Sequence, residues 1–496
     1  MIHWKEALEL ETLVAQIIQR QEENGVAFHE DKAALYVDHL ESERTTLYND
    51  IRPNLETEIL LPYKEPINKP FLKKGGYSKS VYVWAERFND LNWMNLVGGP
   101  FTRVEFVDPD IGSRQKLIKQ LLKNGWKPTI FTEKGQPKLT VKGEIVESLL
   151  EITGTIGKKI ALWYTLGHRQ SQIIGWIRSI RPDGRITAGA DSCGTNTVRM
   201  RHRCVVNVPK ADPKVIFGYE MRSLFIAALD YLLCGHDASG LEARIMAHYT
   251  TPYDGGEFAR DILDGKLHGK NARIFYPEET EGMSEDDPEF TTYRSRGKNG
   301  FYGLVYGAQP PKLASTLGVP SKVGRKLFDS FWEGNYALGV LRDKIIKMAE
   351  SRGWVPGLDG RKIYIRSSHS ALNALFQSAG AIIMKRSMVI LDSLIQEAGI
   401  TARKVLDQHD EAQAEIPRKD VEYHIVNTKE EASSIITPDR LWSKPVHLPI
   451  EDKWSVSYTK YGELAVNSIV MAGTYYNLRC PLDAEYKVGA NWACTH

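Results

Sequence analysis

The sequence predicts an α+β fold, and three observations carry that prediction. Helical apolar spacing runs through long stretches, notably 5–48, 250–350 and 372–398, while strand-like runs gather elsewhere. Two stretches read as hairpins: Trp354 to Ser368, turning near Asp359-Gly360, and Val405 to Ile416. A third run, Tyr231-Leu232-Leu233-Cys234, reads as a short buried strand that leads straight into a helix.

In chain order, Leu8, Leu13, Ile17 and Ile18 space one apolar helix face, Asn24-Gly25 breaks it, and a second helix runs from Asp31 to Leu47. From about 50 to 105 the texture changes. Pro53, Pro62, Pro66 and Pro70 punctuate it, Phe71 to Tyr77 is basic, and Trp84, Trp93 and Phe101 read as exposed aromatics. That stretch is too long for a simple loop, so it predicts an inserted, partly ordered module. It is either a surface excursion or a docking site for DNA or a partner protein. Ser113 to Asn124 is an amphipathic helix ended by Gly125, and Val146 to Trp163 reads as another. Ile174 to Ala188 alternates around Asp183-Gly184, a hairpin turn signal.

A chain of 496 residues has room for two to four domains. Its apolar and charged fractions are those of a soluble globular protein. A formal net charge of +2 hides basic clusters such as Arg199 to Arg203 and Arg294 to Lys298, so it neither supports nor excludes a nucleic-acid partner. Five scattered cysteines with no C-x-x-C argue against a zinc site or a disulfide framework and for a reducing compartment. The N-terminus lacks a signal-peptide core, and no apolar run of about 18 residues is evident. The expectation is a soluble cytoplasmic protein with no membrane partner.

Three stretches carry chemistry. In the first, Asp237 stands at the end of a strand just before a helix whose start, Ser239 to Glu242, has the S-x-x-E form of a capping box. A carboxylate held there can bind a hard cation, although most such residues are caps or turn formers. In the second, a four-residue step aligns Arg294, Lys298, Tyr302 and Tyr306 along one side of a helix. Two cations and two aromatics in register could hold a triphosphate and stack a base. Gly297, Gly300 and Gly303 weaken that helix, which fits an element that moves. The third stretch, Gln408-His409-Asp410-Glu411, lies in the turn of the second hairpin. Asp410 supplies a second carboxylate, and with Asp237 it makes a two-metal site for phosphoryl transfer conceivable, with Mg²⁺ or Mn²⁺ as the all-oxygen choice.

Together, Asp237-Ala238-Ser239-Gly240-Leu241-Glu242-x-Arg244, Arg294-x3-Lys298-x3-Tyr302-x3-Tyr306-Gly307 and His409-Asp410-Glu411 resemble motifs A, B and C of family A (Pol I-type) DNA polymerases. The likeness is strongest to the replicative branch of short-tailed bacteriophages. It extends over Gly357 to Lys362, Leu375 to Gly380 and Leu482 to His496, covering roughly residues 110–496. The resemblance implies a right-hand fold with an antiparallel palm sheet and helical fingers and thumb. Residues 1–175 would be thumb, with the inserted module at about 50–105; 176–250 and 370–496 palm; and 251–369 fingers. It implies template-directed addition of dNMP to a primer 3′-hydroxyl with release of pyrophosphate.

By the same resemblance, Asp237, Asp410 and the Ala238 carbonyl hold two Mg²⁺, with Mn²⁺ as a substitute, and Glu411 lies near the metals. Arg294, Lys298 and His268 contact the triphosphate, and Lys298 stabilises the departing pyrophosphate. Tyr302 packs on the incoming sugar, Tyr306 guards the templating base, and Glu242 is the steric gate against a ribose 2′-hydroxyl. Arg199, Asn207, Asn373, Gln377 and His409 contact primer-template DNA, where donors can check pair geometry without reading sequence. Implied partners are primer-template, dNTPs, a processivity factor at 50–105, a separate exonuclease subunit and a replisome helicase-primase, in the host cytoplasm if the chain is viral.

The sequence departs from the family at Gly297 and Gly300, which replace larger residues, at the polar Asp407-Gln408 leading into motif C, and at the basic Arg201-His202. No exonuclease pattern is visible before residue 110, so no 3′–5′ proofreading is expected within these residues. Two other readings stand beside the polymerase: a single-subunit RNA polymerase, which Glu242 with Tyr302 argues against, and a non-catalytic DNA-binding subunit, which the intact aspartates and Lys298 argue against.

Overall fold

The computed structural model describes residues 4–60, 65–86, 91–108, 110–132, 135–141, 144–149, 156–317 and 319–495. His496, the last residue of the C-terminal motif, lies outside them, as does the side chain of Trp93. Two compact units emerge: residues 1–33 with 174–496, and residues 34–173.

The larger unit is built on a four-stranded antiparallel sheet. Its strands are β1 (Tyr231–Ala238), β2 (Arg403–Gln408), β3 (Glu411–Pro417) and β4 (Ala484–Gly489), in the spatial order β2-β3-β1-β4. Register sets the two faces, because neighbours across a sheet share a face and residues alternate along each strand. Gln408, Glu411, Asp237 and Glu485 form one cross-strand row; Asp407, Ala412, His236 and Tyr486 form the next, on the opposite face. All four of the latter are buried.

Six helices place that sheet: α1 (Trp4–Asn24), α2 (Leu241–Asp254), α3 (Leu267–Phe275), α4 (Pro288–Val305), α5 (Ala371–Glu397) and α6 (Lys460–Tyr475). α6 packs on β1 and β4, where Gly462 leaves room for the Tyr486 ring; a Cβ there would lie 2.4 Å from it. α5 packs against α6, α2 and α1. Against expectation, α5 is long and apolar enough to cross a membrane, but 67% of its most apolar window is buried within the protein, which makes it a core helix. Leu10, Val14, Ile17 and Ile18 of α1 meet Ile382 and Met388 of α5. The first 33 residues therefore group with the sheet rather than with 34–173, unlike the single 1–175 block expected.

Two of the glycines on α4, Gly297 and Gly300, have a packing role. A Cβ on Gly297 would sit 2.8 Å from Ala272 Cα of α3, and one on Gly300 would sit 2.9 Å from the Phe275 ring. The two helices approach closely only because those side chains are missing.

The smaller unit has two cores of its own. Leu117, Leu121, Trp126 and Ile160 belong to one. The other lies inside the 50–105 stretch, where Ile67, Val81, Trp84, Met94 and Val97 cluster. Trp84, expected to be exposed, is buried there, and its indole N–H donates to the Val104 carbonyl at 3.0 Å. Phe101 is half-buried beside it, ring centroids 4.8 Å apart. Glu58–Leu60 pairs with Glu105–Val107 and closes the base of this module. The helix expected over 146–163 is a 3-10 turn at Glu147–Leu149 followed by a helix at Ile156–Ile177; residues 150–155 lie outside the described ones. That helix absorbs the first arm of the hairpin expected at 174–188. Only the part beside the turn forms: Gly184 sits at φ +74°, Ile180 bridges Ile186 in antiparallel fashion, and Arg185–Ile186 pairs on its other side with Val26–Ala27.

Candidate active site

Asp237 is the penultimate residue of β1, and the Ala238 amide donates to the Asp410 carbonyl at 3.3 Å, locking the strand end to the neighbouring hairpin. Gly240, at φ +61°, then turns the chain into α2 as its N-cap. The capping box does not form. The Ser239 amide donates to the Asp483 carbonyl at 2.8 Å, and the Glu242 carboxylate instead accepts from the Tyr306 hydroxyl. A left-handed residue between them has swung Ser239 away from the helix end.

Gln408 faces Glu411 across the second hairpin, which leaves His409 and Asp410 as a two-residue turn. His409 sits at φ +62°, where such turns favour glycine, so backbone strain is stored beside the carboxylate. In the polar approach through Asp407-Gln408, Lys404 donates to one Asp407 oxygen at 2.8 Å, and the Gln408 amide donates to the Val205 carbonyl at 3.1 Å.

Electrostatics distinguish this corner of the sheet. Burial, and then the nearby Asp410, Glu411 and Glu485 carboxylates, push Asp237 up to about 7, with Lys487 opposing. Asp410, exposed at the turn tip yet ringed by protein atoms, is also raised, mainly by loss of solvent, with Arg199 opposing. Carboxylates crowded in this way are relieved by a bound hard cation. Among the described residues no group of three or more His, Cys, Asp or Glu side chains forms a cage. Two carboxylates and a carbonyl suit a cation that keeps water and substrate oxygens as its remaining ligands, as Mg²⁺ does.

Glu411 is placed differently from its neighbours. It is buried and accepts from the Trp492 indole, from the Gln413 amide at 2.7 Å and from Arg222 at 3.4 Å, while the Arg222 guanidinium lies 4.2 Å from the Trp492 ring centre. These donors tie motif C to the C-terminal turn Trp492–Cys494. Nothing in the spacing of Arg222 or Trp492 signals that role, since each is far from Glu411 in sequence.

A second cluster lies on α3 and α4. Arg294 and Lys298 are exposed one turn apart, Tyr302 is half-buried, and Tyr306 caps the helix. His268 of α3 packs 5.9 Å from the Tyr302 ring and falls to about 4, through burial and then the charges of Lys298 and Arg294. The two clusters are linked through Tyr306, whose hydroxyl reaches Glu242 on α2; Arg199 lies 3.9 Å from the same carboxylate.

Arg199, Glu242, Gln377, His409 and Asp410 line one cleft, with Leu241, Phe376 and Gly380 as its apolar wall. Asn373 lies one turn before Gln377 on α5, and its Oδ1 has no hydrogen-bond partner among the described residues. Asn207, at φ +52°, lies two residues beyond Val205, the residue that anchors Gln408. Of the basic run around Arg199, Arg201 pairs with Asp191 at 2.6 Å, Arg203 reaches Glu22 at 2.5 Å, and His202 stacks edgewise near His409. Arg199 is the one that faces the cleft.

The model of DNA polymerase family A matches residues 103–459. The chain belongs to that family. Among curated relatives of this family A chain, the DNA-directed DNA polymerase of Enterobacteria phage T3 is 29% identical over 99% of the chain and 71% of the relative. That of Escherichia phage T7 is 28% identical with the same coverage, and that of Escherichia phage Phieco32 is 24% identical over 98% of each. Among solved structures, the polymerase domain of Pol1 from M. smegmatis in complex with DNA primer-template and dNTP aligns with a TM-score of 0.67 at 19% identity. It covers 98% of the chain and 70% of that structure. The α+β architecture is thus that of a family A polymerase domain.

Proposed function

We propose that this family A chain is a DNA-directed DNA polymerase that adds dNMP to a primer 3′-hydroxyl and releases pyrophosphate. The observation that carries the reading is the joining of two chemistries: crowded, raised carboxylates at Asp237 and Asp410, linked through Glu242 and Tyr306 to the cationic face of α4. Asp237, Asp410 and the Ala238 carbonyl would hold two divalent cations, Mg²⁺ with Mn²⁺ as a substitute, which when bound neutralise phosphate charge and favour the attacking alkoxide.

The chain's own residues do the rest. Arg294 and Lys298 grip the triphosphate, and Lys298 gives a proton to the departing pyrophosphate. His268, neutral beside two cations, offers a hydrogen bond without adding charge. Tyr302 packs on the sugar, and Glu242, fixed by the Tyr306 hydroxyl, leaves no space for a 2′-hydroxyl. Arg199, Asn207, Asn373, Gln377 and His409 contact primer-template along the cleft. The anchored Glu242 favours this reading over an RNA polymerase. Residues 176–250 and 370–496 act as palm and 251–369 as fingers. The work is placed in the host-cell cytoplasm, in keeping with phage relatives, and the 50–105 module is assigned to partner binding.

Extension of a labelled primer by the purified chain with Mg²⁺ tests the proposal. Template-dependent extension is expected, with loss of at least about a thousandfold in Asp410→Ala while DNA binding is kept. Equal extension by Asp410→Ala would overturn it. Shortening of the primer when dNTPs are withheld would reveal a nuclease that the sequence does not lead one to expect.

A further inference from the structure

Glu411 stands directly opposite Asp237 across β3 and β1. Residues paired in this way bring their Cβ atoms to about 5 Å, so register alone would make Glu411 a third carboxylate for a cation at Asp237 and Asp410. Glu485 lies on the other flank of Asp237, away from the turn that carries Asp410. The donors around Glu411 take it elsewhere. Its Oε1 accepts from the Trp492 indole N–H and from Gln413 Nε2 at 2.7 Å, and its Oε2 accepts from Arg222 at 3.4 Å. A carboxylate can only accept, so the Gln413 amide must turn its nitrogen to Glu411, and the Thr495 hydroxyl holds the other end by donating to Oε1 at 2.8 Å. Arg222 is fixed in turn, donating through Nε to the Pro209 carbonyl at 2.8 Å. All four of Glu411, Gln413, Arg222 and Trp492 are buried, where charge-assisted bonds are hardest to give up.

Gly235 makes room for this clamp. It lies two residues before Asp237, on the same face of β1, and a Cβ there would stand 2.3 Å from Gln413 Nε2 and 2.5 Å from the Thr495 carbonyl oxygen. A glycine inside a strand weakens it, and here the space it leaves is filled by the groups that hold Glu411. The chemistry of the cation gives that arrangement a purpose. Affinity rises with the number of charged ligands, yet Mg²⁺ that works on phosphates is held by one or two carboxylates, so that waters and substrate oxygens complete its shell. A third carboxylate diverted from the site meets that requirement.

We propose that Trp492, Gln413 and Arg222 are positioning residues that hold Glu411 off the cation site, so that Asp237 and Asp410 alone supply its carboxylates. This role rests on the cation site proposed above. Loss of the indole or amide donor frees Glu411 to turn toward Asp237 and to add a third charged ligand in place of a water or a phosphate oxygen. Resting cation affinity then rises while primer extension slows. A lesion that merely loosened the sheet would weaken both.

The probe is Mn²⁺, titrated into the full chain without DNA or nucleotide and read from the paramagnetic resonance of the free ion, with primer extension measured alongside. Binding at the site is the part of the titration that Asp410→Asn removes. Trp492→Phe, which keeps a ring over Arg222 and deletes the N–H, should bind Mn²⁺ about tenfold tighter than the native chain and extend a primer more slowly. Gln413→Met, with Trp492 in place, should shift both in the same direction and guards against a folding defect in the first variant. In a Glu411→Gln background neither substitution should tighten binding, since the third carboxylate is gone. Unchanged or weaker Mn²⁺ binding in both variants, or a gain that survives Glu411→Gln, would overturn the role. Failure of the native chain to extend a primer would count against the polymerase reading alone, because the Mn²⁺ comparison needs no turnover.

Discussion

At the residue scale, the site depends on what each carboxylate can reach. Asp237 and Asp410 are crowded and open, whereas Glu411, one residue away, is held by Trp492, Gln413 and Arg222. A string of acids thus divides by donor supply into two carboxylates open to a cation and one that is anchored. Glu242 is set apart in the same way, its position fixed by a hydroxyl from another helix. If Glu242 is the proposed gate, Glu242→Ala should raise incorporation of rNTPs relative to dNTPs about tenfold or more. Single-nucleotide addition with each substrate measures it, and an unchanged ratio would remove Glu242 from that role. The places of Asp237 at a strand end, Asp410 in a hairpin turn and Arg294 and Lys298 on one helix face were legible from spacing. The Tyr306–Glu242 bond was not, because its partners are 64 residues apart.

At the element scale, α4 shows a polar face that follows from spacing and a packed face that does not. The i+4 step does align Arg294, Lys298, Tyr302 and Tyr306, and of the glycines between them Gly297 and Gly300 mark a helix–helix contact whereas Gly303 faces open space. Their substitutions should therefore differ in sign. Gly297→Ala gains helix propensity yet drives a Cβ to 2.8 Å from the Ala272 backbone, and a net loss of about 1–3 kcal/mol is expected. Gly303→Ala, whose Cβ would meet only the Ala308 methyl at 4.0 Å, should gain up to about 1 kcal/mol. Denaturant midpoints of the two variants check both signs. Helices ended by Gly25 and by Gly125 were also legible, since glycine there takes positive φ.

At the scale of the larger unit, the N-terminal helix is fastened by charge as well as by packing. Lys385, 1% exposed in the middle of α5, donates to both oxygens of Glu11 at 2.7 and 2.8 Å, and Arg361 reaches the same carboxylate at 2.6 Å. Burial would raise Glu11, but Lys385 and Arg361 outweigh it and hold it below its ordinary value. The sign follows: the stabilisation is present above the unfolded-state value and is lost as pH falls through the lowered folded one. Thermal midpoints should drop more steeply with acidification below about pH 4.5 in the native chain than in Glu11→Gln. At pH 7 that variant should be less stable by about 3–5 kcal/mol, since it leaves Lys385 buried without its counter-charge. Parallel pH profiles for the two proteins would count against the linkage.

The sequence by itself determined the α+β class, the helices and hairpins that bear the motifs, and the family. These rest on local spacing and short motifs, which read the same wherever the rest of the chain lies. Only the tertiary structure decided that residues 1–33 pack with the sheet, that Trp84 is buried, and that Glu411 is clamped by Trp492 and Arg222. Each of these depends on atoms brought together from distant positions, and burial and pairing have no period in the sequence.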